Sequence, residues 1–207
     1  MTQSPTHLSK ILPDLPRAAI YARLGFKKKT TRLTTADQQE IDRRIDEASS
    51  LITLKGSFLR LPLVRRDERS VTLADTEALD SAKLSAFLRD CREALLLGAT
   101  AGAAIMEAIG EKTRGGDMRT AVIYDATGSE MADAALDWIM DFVNRQIRRE
   151  GKTLLARRFS AGYADFGLQN QQSIHARLQL DRLGVSITKD CILLPEKSVT
   201  AIGGILG

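Results

Sequence analysis

Two cysteines and two histidines are all the soft metal-binding and imidazole chemistry that this 207-residue chain contains. Cys91 and Cys191 lie far apart with no CxxC spacing, so neither a disulfide framework nor a thiolate zinc site is written into the chain. Two inert thiols in a reducing, cytoplasmic setting are the expectation. His7 and His175 have no partners at ligand spacing, which argues against a protein-built zinc centre and a histidine-based nucleophilic triad. No GxGxxG motif follows a strand, and no glycine-rich loop ends in Gly-Lys-Ser/Thr, so the common nucleotide loops are absent as well. The stretch "GEKTRGG" has the composition of a phosphate loop in the wrong order and reads as a helix–helix turn. "YDATG" has the look of an aspartyl-phosphate loop, but nothing around it supports one. Long hydrophobic runs are also missing: the most apolar stretch, Ala94 to Gly110, is short of the ~20 residues a membrane span requires and reads as buried core. The N-terminus "MTQSPTHLSKILPDLPR" lacks the apolar centre of a signal peptide.

What is present describes an ordinary globular chain, 43% hydrophobic and 27% charged, long enough for a sizeable core. The net charge of +4 is modest and its basic residues are interleaved with acids, so neither nucleic acid nor a membrane surface is an expected partner. One basic excess is local. Arg145, Arg148, Arg149, Lys152, Arg157 and Arg158 face only Asp141 and Glu150 between Asp141 and Ser160. A solvated helix end accounts for such a run, since cations are favoured at helix C-termini, and a docking patch for an acidic partner is the alternative.

Periodicity organises the rest. "LPRAAIYARLG" reads as a short helix ended by Gly25, followed by a basic loop, "FKKKTTRL". "TTADQQEIDRRIDEASSLI" has a threonine cap and apolar Ile41, Ile45 and Ala48 at helical spacing. "LITLKGSFLRLPLV" and "SVTLAD" read as strands, and "DSAKLSAFLRDC" returns to a helix with Leu84, Phe87 and Leu88 on one face. "REALLLGATAG" is read as a buried strand turning at Thr100–Gly102, with a helix from Ala103 to Lys112. For the block from Asp117 to about residue 149 the alternative is a strand over "TAVIYDATG" with Ser129 capping a later helix; the preferred reading is one long helix carrying Met131, Ala135, Trp138, Ile139 and Phe142, with Trp138 and Phe142 toward the core. Gly128 in its interior costs about 1 kcal/mol. A helix stopped by Gly184 and two or three strands broken by Pro195 complete the chain. Helices and strands without a βαβ rhythm predict an α+β domain: a mixed, mostly antiparallel sheet packed against long helices. One domain over 1–207 is expected, with a helical part at 1–50 and an α+β core at 51–207.

The stretch "RRFSAGYADF" sits between two polar runs and has little core to fill. Arg158 can grip a carboxylate through two parallel hydrogen bonds. Ser160, Ala161 and Gly162 let backbone approach a ligand closely, and Tyr163 offers an aromatic face with a polar tip. A plain surface turn is the competing reading of these residues.

Residues 157–205 resemble the C-terminal part of the activation domain of cobalamin-dependent methionine synthase. The resemblance rests on an Arg-x-x-x-Gly-Tyr segment (Arg158, Gly162, Tyr163), a Gly-x-x-Ile-Thr strand (Gly184–Thr188) and a Pro-x-x-Ser-Val strand (Pro195–Val199). Upstream, "LSAFLRDCREALLLGATAG" is similar to the family's helix–strand unit ending in Thr-x-Gly. "GSEMADAALDWI" is similar to its Gly-Ser helix, with Asp133 where a ligand-facing glutamate is usual. The resemblance implies a C-shaped α+β domain binding S-adenosylmethionine through Arg158, Ser160, Ala161, Gly162, Tyr163 and Asp133. It implies a role in restoring methylcobalamin on a corrinoid protein, with cobalamin carried by the partner and an electron from a flavodoxin-type donor. It further implies a free-standing reactivation subunit; a non-catalytic adaptor of the same fold is the alternative.

Overall fold

The computed structural model describes residues 4–27 and 31–207. Strand β1 (Thr6–Leu8) leads to helix α1 (Arg17–Arg23) and helix α2 (Thr35–Leu51). Thr34 caps α2 by accepting the Asp37 amide at 3.1 Å, and the buried Ile41, Ile45 and Ala48 form its inner stripe, as the spacing predicts. Residues 28–30 of the expected basic loop lie outside the described residues. The helical N-terminal part also supplies β1, whose three residues are too few to leave a periodic signal.

Strands β2 (Lys55–Arg66), β3 (Ser70–Leu73) and β4 (Leu79–Asp80) follow, then helix α3 (Ala82–Phe87) and strand β5 (Glu93–Thr100). Helix α4 (Ala104–Arg114) turns at Gly115–Gly116 into helix α5 (Met118–Ile147), so "GEKTR" belongs to α4, only the final two glycines of "GEKTRGG" make the helix–helix turn, and "YDATG" lies inside a helix. A 3-10 turn (Arg148–Glu150) precedes strand β6 (Thr153–Phe159). Helix α6 (Asn170–Leu178), a second 3-10 turn (Leu180–Leu183), and strands β7 (Ser186–Ile187), β8 (Leu193–Leu194) and β9 (Ser198–Leu206) complete the fold.

The main sheet runs β4-β3-β2-β5-β9-β6, with β1 beside the N-terminal half of β2. All of its pairings among the described residues are antiparallel, the α+β architecture expected from the sequence. β5 lies at the centre and is covered on both faces. Leu95, Leu97 and Ala99 pack under α5 with Leu136, Ile139 and Val143, while Ala94 and Leu96 pack with Leu84, Leu88, Ile174 and Leu178 on the other side. That double burial is why the strand reads as an uninterrupted apolar run. Of the apolar stretch from Ala94 to Gly110, residues 94–101 and Ile105 are buried core while the rest, in and just before α4, is half-buried or exposed, and no helix among the described residues is long and apolar enough to cross a membrane. Both cysteines are buried and free.

α5 runs on through Gly128, at a point where its neighbours pack closely. A Cβ would stand 3.1 Å from Lys197 Cγ and 3.4 Å from Ile105 Cγ1, so close approach of α4 and the start of β9 offsets the lost helix propensity. Trp138 and Phe142 stack at 5.3 Å and border the core as half-buried residues, with Phe142 edge-on to Phe58 at 6.0 Å.

The structure contradicts the reading of "RRFSAGYADF", residues 157–166, as a stretch with little core to fill, and the polar run before it also gives the core a residue. Leu154 is buried, Phe166 is fully buried, and Phe159 packs against the second core face. A bulge between Leu154 and Arg158 breaks the two-residue alternation that would have marked the strand.

Two neighbouring glycines in β9 set a sharp packing contrast. A Cβ at Gly204 would meet Cys91 Sγ at 2.5 Å, Leu155 Cδ1 at 2.8 Å and Leu88 Cδ2 at 3.0 Å, whereas at Gly203 the nearest atom is 3.3 Å away. Gly204→Ala should therefore cost about 1–3 kcal/mol by overpacking and Gly203→Ala distinctly less, as read from urea unfolding midpoints. A second test concerns an ion network: Arg60 pairs with Glu93 at 2.8 Å and Glu150 at 2.7 Å, and Lys152 pairs with both carboxylates. Hydrogen bonds from Arg60 and then Lys152 pull the Glu150 carboxyl down from its ordinary 4.5 to about 2. A depressed carboxylate contributes stability above its unfolded value and loses it as pH falls through the folded value. Glu150→Gln should flatten the acid limb of the stability profile between pH 4.5 and about 2 and leave its neutral-to-basic shape unchanged.

Candidate functional site

Where β6 ends, β9 continues. The two strands pair as far as Phe159 opposite Ile202, and the chain then turns away while β9 extends back to Ser198 with β5 on its other side. A cleft of about 540 Å³ opens in the gap. Asp133 and Leu136 of α5 form one wall, Arg158 to Ala161 and Tyr163 the facing wall, Ser198 to Thr200 the floor, and Gln171 of α6 the far end.

Arg158 is fixed by α5. Its Nη2 donates to Asp133 Oδ1 at 3.1 Å and its Nη1 to Asp137 Oδ1, two carboxylates one helical turn apart on the same face. The Arg158 side chain is three-quarters buried at the cleft wall. Of the basic run, Lys152 and Arg158 are thus ion-paired, while Arg145, Arg148, Arg149 and Arg157 are exposed.

The turn after Arg158 is held from inside. The Gly162 amide donates to Phe166 O at 2.8 Å, the Tyr163 amide to Ser160 O at 3.3 Å and the Phe166 amide to Tyr163 O at 2.9 Å. Gly162 adopts φ +87°, so glycine is needed here for the backbone itself; any side chain at 162 would strain the turn, while its Cβ would meet only Leu168 Cδ1, at 3.4 Å. The Gly162 N–H is committed within the turn, which leaves the neighbouring backbone of Ser160 and Ala161 along the cleft wall. Tyr163 stands on the rim, 70% exposed. Phe166 anchors the turn in the core with its ring 6.1 Å from that of Phe159. Asp165 fastens it to the start of α3, accepting from Ser81 Oγ at 2.5 Å and from the Ala82 amide at 2.8 Å.

The floor joins segments far apart in sequence. Ser198 Oγ lies 2.9 Å from Thr100 Oγ1 and donates to Pro195 O at 2.6 Å, while Thr100 Oγ1 accepts the Gly102 amide at 3.1 Å. Lys197 reaches Asp125 at 2.6 Å and Ser129 Oγ at 3.0 Å on α5. Thr200 Oγ1 donates to Gln171 Oε1 at 3.1 Å, and Gln171 Nε2 donates to Cys191 O at 2.7 Å. Three of the five stretches singled out in the sequence (Gly128–Asp133, Arg158–Tyr163 and Pro195–Val199) therefore supply residues to one cleft, Thr100 joins it through Ser198, and Gly184–Thr188 does not line it. Volume alone would not single it out. A hollow of about 540 Å³ lies between the Ser9–Leu15 segment and residues 52–54, and one of about 600 Å³ lies beside the Asp37–Arg119 pair, but neither gathers more than one of the stretches singled out in the sequence.

Of the residues proposed from the sequence, Asp133, Arg158, Ser160, Ala161 and Tyr163 line the cleft and Gly162 shapes its turn. Asp137, Gln171 and Thr200 were not anticipated. Asp137 carries one readable signal, its position four residues after Asp133.

The architecture is an α+β domain whose cleft opens where an edge strand stops short of its neighbour. No protein-family model and no curated protein matches the sequence. Among solved structures, the crystal structure of the MetH reactivation domain bound to AdoHcy superimposes with a TM-score of 0.72, covering 97% of this chain and 78% of that chain at 11% identity. The chain has the fold of that reactivation domain.

If the Asp165 contacts hold the cleft wall, Asp165→Ala should loosen residues 160–166 without unfolding the sheet. Hydrogen exchange should then speed up at the Gly162 and Phe166 amides and stay unchanged in β5. Unaltered exchange at those two amides would show that Phe166 alone anchors the turn.

Proposed function

We propose that this cleft binds S-adenosylmethionine and that the chain serves in reductive methylation of the cobalamin of a methionine synthase or related corrinoid methyltransferase. The observation that carries the reading is the position of Arg158 at a cleft lined by three of the five family-like stretches, in a fold shared with a reactivation domain bound to AdoHcy. The cleft volume suits a ligand of this size. Arg158 would take the ligand's α-carboxylate through a two-pronged grip. Asp133 would face its α-ammonium directly or through water, and the small residues Ser160 and Ala161 would let it lie against the wall. Tyr163, on the rim, would stand near the sulfonium, where an aromatic ring favours a cation.

The chemistry asked of these residues is positioning. The sulfonium carries the methyl group, cobalamin supplied by a corrinoid module outside these 207 residues is its acceptor, and a flavodoxin-type donor supplies the electron. Holding the methyl group in near-attack geometry requires neither an acid nor a base, which suits a cleft lined by no histidine. The exposed Arg145, Arg148, Arg149 and Arg157 supply a surface for an acidic partner. Their contribution should fade with salt, because exposed charges are screened over about 8 Å at physiological ionic strength, and a reactivation rate indifferent to salt would remove them from the docking surface.

A second reading, a non-catalytic adaptor that docks on a corrinoid protein without using the methyl donor, draws on one observation: Arg158 is already occupied by two carboxylates. Calorimetry separates the two. Wild type should bind S-adenosylmethionine, Arg158→Ala should bind about tenfold to a hundredfold more weakly through loss of a charge-assisted pair of about 1.5–3 kcal/mol, and Arg158→Lys should restore only part. No binding by wild type up to millimolar ligand would leave the adaptor reading standing.

A further inference from the structure

Arg158 donates from Nη2 to Asp133 and from Nη1 to Asp137, so both terminal nitrogens of its fork already face a carboxylate of α5. A ligand carboxylate taking the two-pronged grip would place three negative groups around one guanidinium. The arrangement relaxes if one aspartate gives way. The two are not equivalent. Asp133 lines the cleft, with its side chain 41% exposed, and lies where the ammonium next to the incoming carboxylate would sit. Asp137 lies outside the cleft lining with its side chain 66% exposed, so water replaces Arg158 at little cost to it. Asp137 thus keeps the arginine oriented with a carboxylate that a ligand can exchange for its own.

We infer that Asp137 is a displaceable counter-ion: it holds Arg158 at the cleft wall and competes with the carboxylate of any ligand bearing an amino-acid end, thereby setting the affinity of the site. The inference rests on the S-adenosylmethionine reading above and names a tuning residue within it. Because Asp137 touches Arg158 and not the ligand, it is a positioning residue.

The competition has a sign that ordinary structural support does not. If Asp137 only steadied Arg158, removing its charge would weaken binding; if it competes, removal strengthens binding. The exposed pair being lost is weak, so the expected gain for Asp137→Asn is about two- to fivefold in affinity. Calorimetric titration with S-adenosylmethionine on the full chain would compare wild type, Asp137→Asn, Asp137→Glu and, as a control, Asp141→Asn, the exposed carboxylate one turn further along α5. Melting curves would verify that each variant is folded. Tighter binding by Asp137→Asn, with wild-type affinity in Asp137→Glu and Asp141→Asn, supports the inference, as does binding that is measurable only once Asp137 is neutralised. Equal or weaker binding by Asp137→Asn, with wild type binding normally, overturns the inference and leaves the ligand reading intact. Tightening of the same size in Asp141→Asn also overturns it, since a general charge effect would then suffice. No binding by any of the four proteins overturns the ligand reading and this inference together.

Discussion

The pairing of β6 with β9, and the point at which it stops, is the constraint on which the cleft depends. The ladder carries Arg158 to its place opposite Gly203, and its end at Phe159 and Ile202 leaves the next residues of β9 beside open space. Had the ladder run on, Ser198 to Thr200 would be covered by strand and there would be no hollow. The chain stops pairing because Phe166 has to reach the second core face and Gly162 turns back on itself at positive φ. Burial of one aromatic ring and one left-handed glycine therefore open the site at the sheet's edge.

The opposite wall is set by α5. Thirty residues of helix cover the central strands through Leu136, Ile139 and Val143, and the same rotation presents Asp133 and Asp137 toward β6. The apolar stripe and the acidic pair are two faces of one periodicity, so the packing that stabilises the sheet also places the carboxylates. Gly128 lets this helix approach the start of β9, where Lys197 ties the two by its contacts to Asp125 and Ser129. The fold and the site are thus built from shared contacts, and damage to one face of α5 is expected to reach the other.

Charge is distributed along the same lines. The ion network of Arg60, Glu93, Glu150 and Lys152 closes the end of the sheet where β6 begins, and the pairing of Arg158 closes the end where β6 stops. Between and beyond them the exposed arginines remain available to a partner. The local basic excess seen in the sequence is therefore divided into internal ties and a free surface.

Much of the scaffold was legible in the sequence by itself, because helices with a cap and an apolar stripe declare themselves within a few residues. The α2 stripe with its Thr34 cap, the long α5 with Trp138 and Phe142 on its inner side, and the buried central β5 are of this kind. Arg158 and the Ser160–Tyr163 turn were also legible, through ordered short stretches on either side that resemble those of a known domain. Other features were decided only by tertiary structure. β1 is too short to show periodicity, and the bulge in β6 erases its alternation. The tie between Asp165 and Ser81 spans 84 positions, and the bond between Thr200 and Gln171 spans 29. The pairing of Arg158 with Asp133 and Asp137 spans 25 and 21 positions. A local pattern states which face of an element is apolar, but it does not state which polar groups on two distant elements will meet. That depends on where the sheet ends and how the helices cross it, and here it decides that an arginine able to grip a carboxylate already holds two.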